Sequence, residues 1–204
     1  MRKADLAQNH LRFDAALGRY RAFMIKAVNA QRVLASASEK RDLAESVILR
    51  ICSWWEYFVD EHLVDSVNCD PSQLSDFFGV TIPKHPSKGL CHALLFGESY
   101  RDFKSVGDLK GFAKKVLPVA SNPFGAISSA HAKLIDQVYV IRNYLSHYSF
   151  RAGRTLHRLY KDEYNMTRFL EPGQFLVAYS GKRLWAYFDA FRGASDDMKA
   201  TYAV

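Results

Sequence analysis

Apolar side chains recur at three- and four-residue intervals over stretches too long for anything but helix. Leu6, Phe13, Leu17, Tyr20, Met24 and Ala27 fall on one face of a helix expected over residues 4–35. Arg12, Arg19 and Lys26 recur every seven residues on another face. Val47, Ile51, Trp54, Phe58 and His62 draw the stripe of a second helix over about 39–67. Ser36-Ala37-Ser38 separates the two, with Ser38 as N-cap and Arg41, rather than Glu, at the capping-box position. So short a connection makes the two helices antiparallel neighbours. Leu134, Val138, Ile141 and Leu145 repeat the pattern in a helix over 128–148. Further helices are expected over 151–164 and 181–191. Gln174–Ser180 has strand-like composition but no partner strand, and reads as a helix start or an extended loop.

The expected fold is therefore all-α: a helical bundle with an irregular, short-helix insertion before the 128–148 helix. Residues 70–125 form that insertion, since five of the six prolines fall there. Short helices are expected at 72–79, 88–96 and 107–117. At 204 residues, 49% of them hydrophobic, the whole chain reads as a single domain with a real core. The formal net charge is +7, which suits an anionic partner. Residues 51–100 are an exception, with two Lys/Arg against seven Asp/Glu, so the surface is expected to be polarised or to self-associate. Cys52, Cys69 and Cys91 are odd in number and widely spaced. They make no disulfide framework and point to a reducing cytoplasm. Neither a signal-peptide pattern nor a membrane-spanning apolar run is expected.

Function is concentrated in Val140-Ile141-Arg142-Asn143-Tyr144-Leu145-Ser146-His147-Tyr148. At ~100° per residue, Asn143 and His147 fall nearly opposite the apolar stripe, with Arg142 and Ser146 on the flank. Packing alone gives no reason for such a cluster. Arg offers phosphate a permanent charge and a planar fork of donors. His exchanges a proton near neutral pH. Asn143 or Ser146 can orient either.

The stretch Arg142-Asn143-Tyr144-Leu145-Ser146-His147 resembles the signature of the HEPN superfamily: an Arg, a polar residue directly after it, and a His four to six residues beyond the Arg, near the end of a bundle helix. A diffuse further likeness lies in Ser53-Trp54-Trp55-Glu56-Tyr57-Phe58 on the second helix. The resemblance implies an endoribonuclease needing no metal and no other cofactor. Arg142 and His147 would be the catalytic pair, with Asn143 as the polar follower. His147 would handle the proton at the ribose 2′-OH, Arg142 would stabilise charge on phosphate, and the products would carry 2′,3′-cyclic phosphate ends. It also implies a homodimer whose two motifs line one cleft, RNA as the partner, and a toxin–antitoxin or antiviral defence setting with a possible antitoxin or defence-system partner. Some HEPN domains lack nuclease activity. The alternative is thus a non-catalytic module that binds a nucleotide, nucleic acid or a partner protein. A generic helical interaction domain is a third reading.

Other residues carry less. Arg151, Arg154, Arg158 and Lys161 form a basic stripe just after the motif, either holding RNA phosphates or simply solvated. His157 reads as a surface or packing residue. His85, Cys91 and His92 lack the spacing of a zinc site, so no metal is expected. Trp54 is assigned to the core, and Trp55 to partial exposure or a dimer contact. Glu56, Asp60 and Glu61 read as a solvated acidic face, one member of which could hold Arg142 in place.

Overall fold

A computed structural model describes residues 3–29, 36–97 and 103–202. Within them the fold is all-α, with no strand. Helices α1 (Leu6–Asn29) and α2 (Ala37–Cys69) pack as an antiparallel pair. Ala4 N donates to Asn68 Oδ1 at one end, and the Phe13 ring stacks on Phe58 further along. The predicted stretch 30–35 of the first helix lies outside the described residues. Helix α2 starts two residues before its expected position. Ser36, not Ser38, is the N-cap, and Glu39 completes a capping box by returning a carboxylate to the Ser36 N–H. Arg41 has no acceptor to offer there, which is the physical reason for the shift.

Helix α2 is the centre of the bundle. Trp55, not Trp54, is its fully buried tryptophan, held between Phe13 of α1 and Phe191 of the last helix. Trp54 is half-buried, with the Arg19 guanidinium over its ring. The expected assignment is reversed because α2 packs against neighbours on two sides, which moves the middle of its buried face to Ile48, Ile51, Trp55 and Phe58. From His62 to Asn68 every residue is buried, so the helix has no solvated side there.

The segment after α2 holds α3 (Ser72–Phe78), α4 (Lys88–Phe96), α5 (Val106–Val116) and two 3-10 turns over 119–121 and 123–126. It is pinned to α2 by polar contacts: Lys88 reaches Asp65 at 2.5 Å and Asn68 donates to Pro86 O at 2.7 Å, while Asn9 of α1 donates to the same Asp65 at 2.8 Å. Helix α6 (Ser129–His147) carries the motif, followed by α7 (Phe150–Tyr164), α8 (Pro172–Val177) and α9 (Lys182–Lys199). The stretch read as helix start or loop is mostly α8, with Pro172 in its first turn. A Cβ on Gly173 would lie 2.7 Å from Arg41 Cβ and 2.8 Å from Arg41 O, so only glycine lets α8 sit this close to α2. Three successive left-handed residues, Tyr179, Ser180 and Gly181, then turn the chain into α9, which runs eight residues past its expected end. No helix among the described residues is long and apolar enough to cross a membrane.

Candidate functional site

Helix α6 buries Ile135, Val138, Ile141 and Leu145, so the motif side chains are set by the faces that remain. Leu134, placed on the apolar stripe, is half-buried, and Ile135 takes the deeper position. Arg142 is on the flank, with 28% of its side chain exposed. Its guanidinium nitrogen lies 3.4 Å from Glu56 Oε1 on α2. Cys52 Sγ lies 3.8 Å from the same oxygen, one turn back along α2. Asn143, Ser146 and His147 are exposed.

The acidic face of α2 is not the freely solvated surface expected. Glu56, Asp60 and Glu61 are all half-buried. Burial, and then the like charges of Glu56 and Glu61, push the Asp60 carboxyl up to about 7. Glu56 is the member of the trio that reaches the motif arginine.

Arg142 and Asn143 line a cleft of about 300 Å³ together with Phe103, Lys104, Tyr139 and Thr155. Lys104, a second cation in this cleft, comes from the loop before α5, 38 residues earlier in sequence, and no local pattern marks it. His147 is not in the cleft wall. Five residues of helix place it about 140° around the axis and ~7.5 Å along from Arg142. Within one chain the Arg142 and His147 side chains therefore leave the helix in different directions. His147 occupies the last turn of α6.

The chain then reverses sharply. Tyr148 adopts a left-handed conformation (φ 45°, ψ 29°) and donates its N–H to Tyr144 O at 2.7 Å. Ser149 caps α7 by accepting from Ala152 N. Helix α7 buries Ala152, Leu156 and Tyr160, and its other face presents Arg151, Arg154, Arg158 and Lys161, all exposed. The stripe read from spacing is thus an exposed row of four cations that begins shortly after His147. His157 is exposed and its Nε2 lies 3.3 Å from Thr167 O, a surface contact outside the motif. His85, Cys91 and His92 form no metal-binding group, and none of three or more His, Cys, Asp or Glu side chains occurs among the described residues.

The arrangement offers phosphate two cations in a cleft, an exposed imidazole at the adjoining helix end, and a cationic helix beside both. Compared with family models, with curated proteins and with solved structures, the chain matches none.

Proposed function

We propose that the protein is a metal-independent endoribonuclease of the HEPN type, working as a homodimer on RNA. The carrying observation is the exposed His147 at the end of α6, one helix turn and a little more beyond an arginine steered by Glu56, with the cationic face of α7 alongside. In this reading His147 accepts the proton of a ribose 2′-OH. The 2′-oxygen attacks phosphorus, the bond from phosphorus to the 5′-oxygen breaks, and the leaving oxygen takes a proton from the histidine of a second copy. Arg142 offsets the negative charge that builds on the phosphate oxygens. The products are a 2′,3′-cyclic phosphate and a 5′-hydroxyl. The divergence of Arg142 and His147 within one chain is why the reading requires two copies: pairing places one protomer's arginine near the other's histidine. A role as a toxin or in antiviral defence follows by analogy with the family the motif resembles.

The test is incubation of the purified protein with mixed RNA in EDTA beside a His147→Ala control. Cleavage by the wild type persists in EDTA and falls by ~10²–10⁴-fold in the variant. Because His147 is exposed, the variant keeps its thermal midpoint. Absence of cleavage under every condition, or equal cleavage by a folded His147→Ala protein, defeats the reading. Absence of cleavage leaves a non-catalytic HEPN module that binds a nucleotide, nucleic acid or a partner protein.

A further inference from the structure

The sharp reversal after His147 does more than end a helix. It opens a groove of about 320 Å³ between the end of α6 and the start of α7, lined chiefly by Tyr144, Tyr148, Phe150, Gly153, Arg154 and Phe169. That volume lies at the lower end of the range of small-ligand sites (about 300–1,000 Å³). Two of its aromatic residues are left in solvent: Phe150 is 82% exposed and Tyr148 63%. The others build the floor. Tyr144 and Tyr148 have ring centroids 5.3 Å apart, and Phe169 meets Tyr144 edge-on at 5.7 Å. A Cβ on Gly153 would already sit 3.4 Å from the Tyr144 ring, so α7 lies directly on that ring. Arg154 places its guanidinium 5.8 Å from the Phe150 ring centroid, and Arg151 and Arg158 extend the positive charge along α7.

We infer that this groove stacks an unpaired base of single-stranded RNA, holding the nucleotide next to the phosphate that reaches His147. Every base has a π-face, and exposed aromatic rings beside a run of cations match a strand that alternates flat rings with phosphates. The Tyr148 backbone fits the same role. A non-glycine residue in the left-handed region costs free energy, and here that conformation aims the Tyr148 ring into the groove directly after the proton-transfer residue. A second copy of this chain is a poorer occupant. A symmetric contact across α7 would set Arg151, Arg154 and Arg158 against themselves. A base-paired helix is poorer too, because its bases are already stacked on each other and cannot enter. The inference deepens the proposed function by naming the groove and the residues that hold a base beside the site. It rests on that reading but is tested by binding alone.

The test uses fluorescence anisotropy with a labelled 2′-O-methyl oligouridine, which lacks the 2′-OH nucleophile and cannot be cut by this chemistry. Its controls are an abasic strand of equal length and charge, and a duplex. The wild type binds the base-bearing strand more tightly than either control. Phe150→Ala loses roughly tenfold in affinity and approaches the abasic level, while Phe150→Tyr keeps the wild-type value. The salt dependence is the same in all three proteins, since no phosphate contact is removed. Phe150 is so exposed that its loss leaves the fold intact, which a thermal scan checks. Equal affinity for the base-bearing and abasic strands overturns the inference, as does a Phe150→Ala protein that binds like the wild type. It is also overturned if Phe150→Ala turns a dimer into a monomer at unchanged RNA affinity, which would make the groove a protein interface. Base-dependent binding by a protein that cleaves no RNA sustains the inference and defeats the nuclease alone.

Discussion

Arg142 on α6 and Glu56 on α2 meet with their nearest nitrogen and oxygen 3.4 Å apart, which aims the motif arginine towards the bundle's central helix and away from His147. The pair is only partly removed from solvent, so its worth for stability is small. Its consequence is positional. A planar guanidinium held by a carboxylate keeps a fixed orientation, which an ammonium on a flexible stem does not. Arg142→Lys is therefore expected to keep the charge and the fold but to lower RNA cleavage by at least ~10-fold. Glu56→Gln should produce a smaller loss in the same direction. Steady-state rates alongside circular dichroism check both, and a fully active Arg142→Lys protein would show that charge alone suffices.

The divergence of Arg142 and His147 carries a prediction about assembly. A homodimer with α6 near the two-fold axis is expected in solution at micromolar concentration. Light scattering that reports only monomer, in a preparation that nonetheless cuts RNA, would remove the need for the second copy.

The exposed face of α7 predicts a salt effect. RNA affinity should fall steeply as salt rises, because each phosphate neutralised by Arg151, Arg154, Arg158 or Lys161 releases counterions. Reversing two of these charges should flatten the plot of log affinity against log salt by about 1.4 if both contact single strand. An unchanged slope assigns the stripe to solvent.

Acid should unfold the protein from within. His10 and His62 are fully buried side by side, with ring centroids 4.8 Å apart. Burial above all lowers His10 to about 4, and Lys199 adds to the effect while Asp196 opposes it. Burial and then His10 lower His62 to about 3. Above the ordinary histidine value of 6.5 both are neutral, folded or unfolded, and cost nothing. As pH falls below 6.5 the unfolded chain takes up protons that the folded chain refuses, so stability falls progressively towards pH 4. Asp60 acts in the opposite sense. Its raised carboxyl favours the protonated form in the folded state, so stability from this group declines as pH rises towards 7. Asp60→Asn should therefore raise the thermal midpoint relative to wild type at pH 8 and lose that advantage at pH 4. Thermal scans across pH read both effects, and an Asp60→Asn protein, freed of that opposing carboxyl, whose midpoint stays flat from pH 6.5 to 4 would contradict the histidine argument.

Much of the architecture was legible from periodicity. Helices α1, α2, α6 and α7 announce themselves because a helix with one face in water must repeat its apolar residues every three to four positions. The place of Arg142, Asn143 and His147 on α6, and of the four cations on α7, follows from the same geometry. Where a helix is enclosed, the rule stops discriminating. On α2, Trp54 falls on the stripe drawn from Val47, Ile51 and Phe58, yet packing between α1 and α9 decided that Trp55 is the one inside. The capping choice between Ser36 and Ser38 turned on which serine has an acceptor three residues later.

The motif itself, the faces of its helix and the positive charge beside it were determined by the sequence, since all are local to one or two consecutive helices. Three things were decided by the tertiary structure alone: the approach of Glu56 to Arg142, the entry of Lys104 into the same cleft, and the groove in which Phe169 closes against Tyr144. Each joins residues from different helices or loops. Their meeting depends on how the helices pack against one another, and helical periodicity says which face is buried but not which residue of a neighbouring element will cover it.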